Sequence, residues 1–467
     1  MSKNRNVTLI KNTFVIGIGQ LIPKLMALIT LPILTKHLSV NDYGIYDMIL
    51  SIGSLAIPLM TLLIQQAAFR FIIDADNDKA EIITSTFGMI VVLSVVWGII
   101  MTIVSCFDIY DKYTLLIIWI LYLFESLYDM SGQIIRGLGK NVLFSFGVVI
   151  YSSTNLFFVL FLLRQNYINV YSVILSSLMA YGVAFLIVCL KGEVFGYIRK
   201  EKLSFPQIKK MLHYAIPIIP SSISLWVVNL SDRLLIIAFL GSALNGVYAV
   251  ANKIPNLCGM VYSVFNLAWT ETAARTVNDQ DRDKYYTELF NSLFSFLTGC
   301  FLILIVASPF VFDVLIDDKF YSGLQQMPLL FVGIFFSSLV SFYGGIYVAL
   351  QKTKQVGLSS AIGAILNLAI NMLLIRTLGL FAASISTVIS YYLIYVYRRV
   401  DINKYIFIKS NKVLGLSGYA SLAVVCLLYY INLNMMLVVG SVLALIFNWR
   451  FNVPIFKKII NKILGKV

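Results

Sequence analysis

The chain reads as a succession of apolar runs separated by short polar breaks. Fourteen runs have approximate cores at 14–34, 43–64, 82–106, 113–135, 142–163, 169–190, 214–240, 244–270, 286–312, 326–350, 355–375, 378–397, 413–431 and 433–448. A helix needs roughly 20 mostly apolar residues to cross a bilayer, and most runs approach or exceed that length. The pattern therefore predicts an all-α polytopic membrane protein of about 14 transmembrane helices. Its expected organisation is an N-lobe of six spans (1–190), a basic linker (191–213), a C-lobe of six spans (214–398), a second basic linker (399–412), an accessory pair of spans (413–448) and a basic tail (449–467). The first run is too long for a signal-peptide core, shows no small-residue cleavage pattern, and leads at once into another run. It reads as an uncleaved first helix.

Polar residues inside the runs are not scattered. They recur at alternating three- and four-residue spacing, which keeps them on one helix face. The first span carries Thr13, Gly17, Gln20 and Lys24, and the second Asp47, Ser51, Ser54, Pro58, Thr61 and Gln65. Ser222, Asn229 and Arg233 mark the seventh. Asn252, Asn256, Gly259, Ser263, Asn266 and Thr270 mark the eighth, and Ser360, Gly363, Asn367 and Asn371 the eleventh. A single stripe of this kind is compatible with helix–helix packing alone. Stripes at matching places in both halves fit a central water-filled cavity better.

An internal repeat supports the two-lobe reading. Leu38, Gly44 and Tyr46 match Leu240, Gly246 and Tyr248 at an offset of 202. A second register, offset 212, pairs "GQIIRGLGK" (132–140) with "GGIYVALQK" (344–352), and Asn155 with Asn367. Each repeat holds six helices, an even number, so both halves take the same orientation about an axis along the membrane normal.

Composition narrows the function. Of 467 residues, 59% are hydrophobic and 12% charged, about half the charged share of a soluble domain. That excludes a soluble enzyme. The net charge of +14 first reports topology. With the N-terminus inside, 28 of the 36 Lys and Arg fall in inner loops or tails, five in outer loops, and three (Lys24, Arg233, Lys253) within spans. The positive-inside rule then places both termini in the cytoplasm, with no reason to invoke nucleic acid. The tail alternates basic and apolar residues at helical spacing, and reads as a positive-inside anchor in preference to a lipid-binding surface helix.

Several chemistries are disfavoured. The five cysteines lack CxxC spacing and lie in or beside apolar segments, so they read as buried thiols, neither disulfides nor metal ligands. There are two histidines. Gly132 and Gly137 have the glycine spacing of a phosphate loop, but Leu138 follows where its lysine would stand. No cofactor or metal is expected. The outer loops are short, the longest near 313–325, which disfavours a membrane polymerase or glycosyltransferase.

The charges inside spans carry the site hypothesis. An unpaired cation in hydrocarbon costs several kcal/mol, so Lys24, Arg233 and Lys253 are expected to face water or an anionic ligand, or to pair with Asp47, Glu125 or Asp129 on other helices. Each lies within about 10–18 Å of the outer boundary at 1.5 Å per residue. Asp232 precedes Arg233, but successive helical residues point about 100° apart and need not pair. Glu125 and Asp129 share a face of the fourth span; they could couple transport to an ion or neutralise the cations. Gln20, Asp47, Ser51, Asn229, Asn252, Asn256, Asn367 and Asn371 complete the expected polar lining.

At these residues the sequence resembles a known family. "LPILTKHLSVNDYGIYDMI", "SDRLLIIAFLGSALNGVYAVANKIPNL", "FNLAWTETAAR" and "NLAINMLLIRTLGLFAASISTVISYYL" are similar, in order and spacing, to the bacterial polysaccharide (Wzx-type) flippases. These belong to the superfamily of exporters that also includes lipid II flippases and multidrug and toxic-compound extrusion transporters. The resemblance implies two six-helix lobes around a cationic cavity suited to the diphosphate of an undecaprenyl-linked oligosaccharide. It implies a cavity role for Lys24. Thr30 stands where the lipid II flippases carry an arginine, so the substrate should differ from lipid II. Helices thirteen and fourteen resemble the pair that lines a groove for the lipid tail. The implied function is non-catalytic translocation of a surface-polysaccharide precursor across the bacterial cytoplasmic membrane by alternating access. Its partners would be the lipid-linked saccharide, membrane lipids, and the polymerase and chain-length machinery. A multidrug/cation antiporter of the same fold is the runner-up, disfavoured because three cations would repel its substrates.

Overall fold

The computed structural model describes residues 22–74, 77–106, 112–455 and 457, and for 220–229 the backbone alone. Thr13, Gly17 and Gln20, most of the basic tail, and the side chains of Ser222 and Asn229 lie outside the described residues. The described residues hold helices and no strand. Such an outcome follows from the solvent: in hydrocarbon a helix satisfies every backbone N–H and C=O within itself.

The helices are α1 (22–37), α2 (Val40–Thr61), α3 (Ile64–Ile73), α4 (Lys79–Ser105), α5 (Lys112–Gly137), α6 (Asn141–Arg164), α7 (Val170–Gly192), α8 (Phe205–Ala215), α9 (Ile219–Leu240), α10 (Ser242–Thr276), α11 (Arg282–Leu315), α12 (Met327–Ala349), α13 (Thr353–Leu378), α14 (Leu380–Ile402), α15 (Lys412–Ile431) and α16 (Leu433–Ile455). Among the described residues every apolar run is mostly helical, the second being interrupted near its end. Eleven helices among the described residues are long and apolar enough to span a membrane on that basis alone. The count of fourteen is therefore approximate. In α10 the stripe from Asn252 to Thr270 dilutes the apolar content below that of its neighbours.

Polar residues at the breaks start these helices. Ser39 accepts from the Asp42 N–H at 3.0 Å to cap α2, and Asp78 accepts from Ala80 at 2.9 Å to cap α4. Asn169 and Ser172 form a reciprocal capping box at the start of α7. Each cap occupies a backbone donor that the helix itself leaves open.

The fold divides into two compact units, the first ending at Leu230 and the second starting at Ser231. In the first, one expectation needs correction. The second apolar run does not form one helix: Leu62 and Leu63 both take left-handed backbone conformations, φ 49° and 54°, and separate α2 from α3. Thr61 supports the break, donating to the Ile57 carbonyl at 2.9 Å and accepting from the Leu63 N–H at 3.3 Å. Left-handed leucines cost about 1–2 kcal/mol each. The compensation is burial, because the redirected α3 places Ile64, Ala67, Ala68 and Ile72 in a core with Ile82 and Ile83 of α4, Ile134 of α5, Val188 of α7 and Met211 of α8. Leu62→Ile keeps apolar area but puts a β-branched residue where φ is positive. It should lower stability by about 1–2 kcal/mol, read as an earlier thermal transition in detergent, whereas Leu62→Gly should melt close to the native protein.

The basic linker after α7 is also structured. Residues 194–202 form two short turns and 205–215 form α8, capped by Ser204. Ile208, Met211 and Ala215 pack inward, so this segment belongs to the first unit.

The second unit has an aromatic core. Trp269 of α10 stacks on Phe342 of α12 with centroids 4.6 Å apart and planes within 2°, and its indole N–H donates to the Phe342 carbonyl at 2.8 Å. The last two helices dock on it by polar contacts. Tyr419 of α15 donates to the Tyr395 hydroxyl at 3.2 Å. On α16, Asn452 accepts from Ser295 of α11 at 2.7 Å and Asn448 donates to the Gly299 carbonyl at 3.3 Å. Arg398, counted as a loop cation from the sequence, lies buried near the end of α14. It donates to the hydroxyls of Ser359 and Ser360 and the carbonyls of Val340 and Val356. The cysteines are all free thiols; Cys189 is buried, but Cys106, expected to be so, is exposed at the end of α4.

Candidate functional site

Each unit holds a polar centre inside its spans. In the second unit the centre is Asp232 on α9. Its carboxylate accepts from the Asn371 amide at 2.7 Å, the Thr387 hydroxyl at 3.1 Å and the Tyr248 hydroxyl at 3.5 Å. The Asn367 amide lies between that carboxylate and the hydroxyls of Ser386 and Thr387. It donates to Asp232 at 3.1 Å and accepts from the hydroxyls at 3.2–3.3 Å. Asn367 and Asn371 reach one carboxylate because they sit one turn apart on α13. Both are buried, at 6% and 0% exposure, and the Asn371 side-chain oxygen has no hydrogen-bond partner among the described residues.

Arg233 belongs to this neighbourhood, and Lys253 lies on α10, the helix that contributes Tyr248 to it. Arg233 is half-buried and within electrostatic reach of Asp232, a proximity the sequence left open. Lys253 is half-buried on α10 beside Asn252, which donates to the Tyr248 carbonyl at 3.3 Å. Asn256, one turn further on, is exposed.

The centre of the first unit runs along α5. Asp129 accepts from the Gln65 amide at 3.0 Å, and Arg136 acts on it from two turns away. The Arg136 guanidinium lies over the rings of Phe69 and Phe144, at 4.9 and 5.2 Å. One turn before Asp129, Glu125 is within hydrogen-bonding reach of the Tyr181 hydroxyl. Tyr181 stacks on Tyr151 at 4.3 Å, and Tyr151 on Tyr128 at 5.8 Å. Asp47 and Ser51 are buried on α2. Lys24 is half-buried on α1.

The two centres share a plan. Asn155 of α6 donates to Ser177 of α7 at 3.3 Å and accepts from Ser176 at 3.4 Å. Asn367 likewise bridges to two adjacent hydroxyls on the next helix, those of Ser386 and Thr387 of α14, but accepts from both. Glu125 and Tyr181 in the first unit correspond to Ser337 and Tyr391 in the second, which are also within hydrogen-bonding reach. These pairs hold the 212 register within two residues, so the repeat is built into the interior bridges. The repeat is also asymmetric. The acid stands on α5 in one unit and on α9 in the other, where the 202 register puts Thr30 opposite Asp232.

Sequence reasoning thus found the amides and missed the carboxylate that organises them. Asp232 read only as a neighbour of Arg233. Thr387, Tyr248 and the tyrosine stack were also missed; at the 212 offset Ser177 falls on Ile389, two residues past Thr387, so the Asn155–Asn367 match does not by itself point to that hydroxyl. The chemistry available is oxygen and nitrogen hydrogen bonding plus fixed charge. Among the described residues no group of three His, Cys, Asp or Glu could hold a metal ion.

Comparison with known proteins matches this architecture. A family model described as polysaccharide biosynthesis protein matches residues 9–271. No curated protein sequence matches the chain. Among solved structures, the lipid II flippase MurJ in its inward closed conformation superposes with a TM-score of 0.73 at 13% identity, covering 96% of this chain and 100% of that one. A multidrug resistance MATE family transporter of the MOP superfamily, facing inward, gives 0.59 at 12% identity over 82% of this chain and 98% of its own. A multidrug resistance MATE family transporter of the MOP superfamily in an outward-facing conformation gives 0.55 at 14% over 85% of this chain and 95% of its own. At such identities the likeness speaks for the fold, which is that of these membrane transporters. With more than half its length matched by the family model, this multi-pass membrane chain belongs to the polysaccharide biosynthesis protein family.

Proposed function

We propose that the protein is a non-catalytic flippase that moves an undecaprenyl-diphosphate-linked oligosaccharide from the inner to the outer leaflet of the bacterial cytoplasmic membrane by alternating access. The observation that carries this reading is the cluster of amide, hydroxyl and phenol groups around Asp232, with Arg233 within electrostatic reach, in a polysaccharide biosynthesis family member; Arg233 and Lys253 are proposed as diphosphate contacts. Diphosphate needs cations, and sugar hydroxyls need amide and hydroxyl partners. Lys24 of the first unit is proposed as a third diphosphate contact. Asp47, Ser51, Asn252, Asn256, Asn367 and Asn371 are proposed to line the polar path, with Gln20 and Asn229 added from the sequence alone. Glu125 and Asp129 are the proposed coupling groups. The prenyl tail can stay in lipid, so only the head group has to pass polar residues. We propose the lobes, linkers and accessory pair with the bounds expected from the sequence, both termini cytoplasmic, and the polysaccharide polymerase and chain-length machinery as partners.

Deleting the gene tests the reading. Lipid-linked saccharide should accumulate in the inner leaflet while surface polymer disappears. If the precursor instead reached the outer leaflet and stayed unpolymerised, a polymerase role would replace the flippase.

A further inference from the structure

The segment joining α7 to α9 combines features that a simple connecting loop does not need. Phe205 is 80% and Leu203 49% exposed, although neither lies in a span where lipid tails would cover it. Phe195 and Ile198 are exposed as well. Between and beside them stand Lys191, Arg199, Lys200, Lys202, Lys209 and Lys210, all exposed, against two acids, Glu193 and Glu201. Buried Ile208, Met211 and Ala215 fix one face of α8 on the first unit, so Phe205, Lys209 and Lys210 fall on the other.

The segment is also held rigidly. Thr84 of α4 donates to the Tyr197 carbonyl and accepts from the Arg199 N–H, both at 3.1 Å. Ser85 accepts from the Ser204 N–H at 3.1 Å. Lys202 closes the clasp on Asp78 at 2.6 Å, and its ammonium holds the Asp78 carboxyl below the usual carboxylate range. With Lys202 engaged, Arg199, Lys200, Lys209 and Lys210 remain to meet an external anion. An open recess of about 630 Å³ beside the clasp, lined by Lys79 and Arg199 as well as Asp78 and Glu193, leaves room for a head group.

We propose that residues 195–214 form an in-plane membrane-binding element that docks on the anionic phospholipid head groups of the leaflet facing the basic loops. Cations interleaved with exposed aromatic and aliphatic side chains match that surface in both charge and polarity. A soluble phosphate compound would use the cations and leave Phe205 and Leu203 without a role. The orientation rests on the topology of the preceding reading, whereas the binding does not depend on transport.

The test uses the full chain in nanodiscs, with lysine acylation followed by mass spectrometry. On moving from phosphatidylcholine to discs containing phosphatidylglycerol, Lys200, Lys209 and Lys210 should react about fivefold more slowly, because each basic residue near such a surface is attracted strongly enough. High salt should restore the rate. The double variant L203S/F205S, altering two exposed side chains, should lose most of the protection with its cations intact. Equal labelling in both kinds of disc would overturn the proposal, as would full protection in the double variant. Protection by inorganic phosphate in neutral discs would overturn it in favour of a soluble anion.

Discussion

Replacing Arg233 with alanine should cut export of the lipid-linked saccharide by at least tenfold, while Arg233→Lys should retain an intermediate rate. A charge-assisted hydrogen bond to phosphate contributes about 1.5–3 kcal/mol, which corresponds to a factor of roughly ten to a hundred and fifty. Lysine preserves the charge and loses the planar two-pronged donor, so it should fall between. The competing explanation is structural, because Arg233 is half-buried and acts on Asp232. Surface polymer must therefore be normalised to protein abundance in the membrane, and the thermal transition of each variant compared. Lys24→Ala and Lys253→Ala should also reduce export strongly. Lys36→Ala, an exposed residue at the end of α1, should change it little. Normal export by all three alanine variants at native abundance would end the cationic-site hypothesis and leave the fold untouched.

How far the sequence exposed this arrangement depends on what each feature rests on. Helices such as α5, α6 and α15 begin and end within about three residues of their expected cores. A span must be apolar for its whole length, so its ends are written in the composition. The break at Leu62 and Leu63 has no such signature. It exists because α3 buries Ile64, Ala67, Ala68 and Ile72 against helices distant in sequence, and neither leucine announces a left-handed backbone. α8 was legible in principle, since Ile208, Met211 and Ala215 recur at helical spacing, but the surrounding lysines marked the segment as a linker. Asp232 illustrates the harder limit. Helical geometry says where it points relative to Arg233, but it does not say that α13 and α14 bring Asn367, Asn371 and Thr387 to meet it.

Asp232→Ala should be the most damaging single change in the second unit. It removes the common acceptor of Asn371, Asn367, Thr387 and Tyr248, leaving donors unpaired inside spans and a small void beside them. An unsatisfied buried donor costs about 1–3 kcal/mol, reduced within a membrane because polar groups find other partners before folding is complete. A net loss of about 3 kcal/mol is expected, read as a lower thermal or denaturant midpoint in detergent, together with loss of export. Asp232→Asn keeps the shape and one acceptor oxygen but turns an amide N–H₂ toward other donors, so its loss should be smaller. Cavity formation alone would also destabilise the alanine variant, and a double-mutant cycle separates the two. Asn371→Ala removes a donor at 2.7 Å, so adding it to Asp232→Ala should cost much less than adding it to the native protein, with a coupling of at least about 1 kcal/mol. Strict additivity, or an Asp232→Ala protein as stable as the native one, would show that the carboxylate does not hold α9, α13 and α14 together.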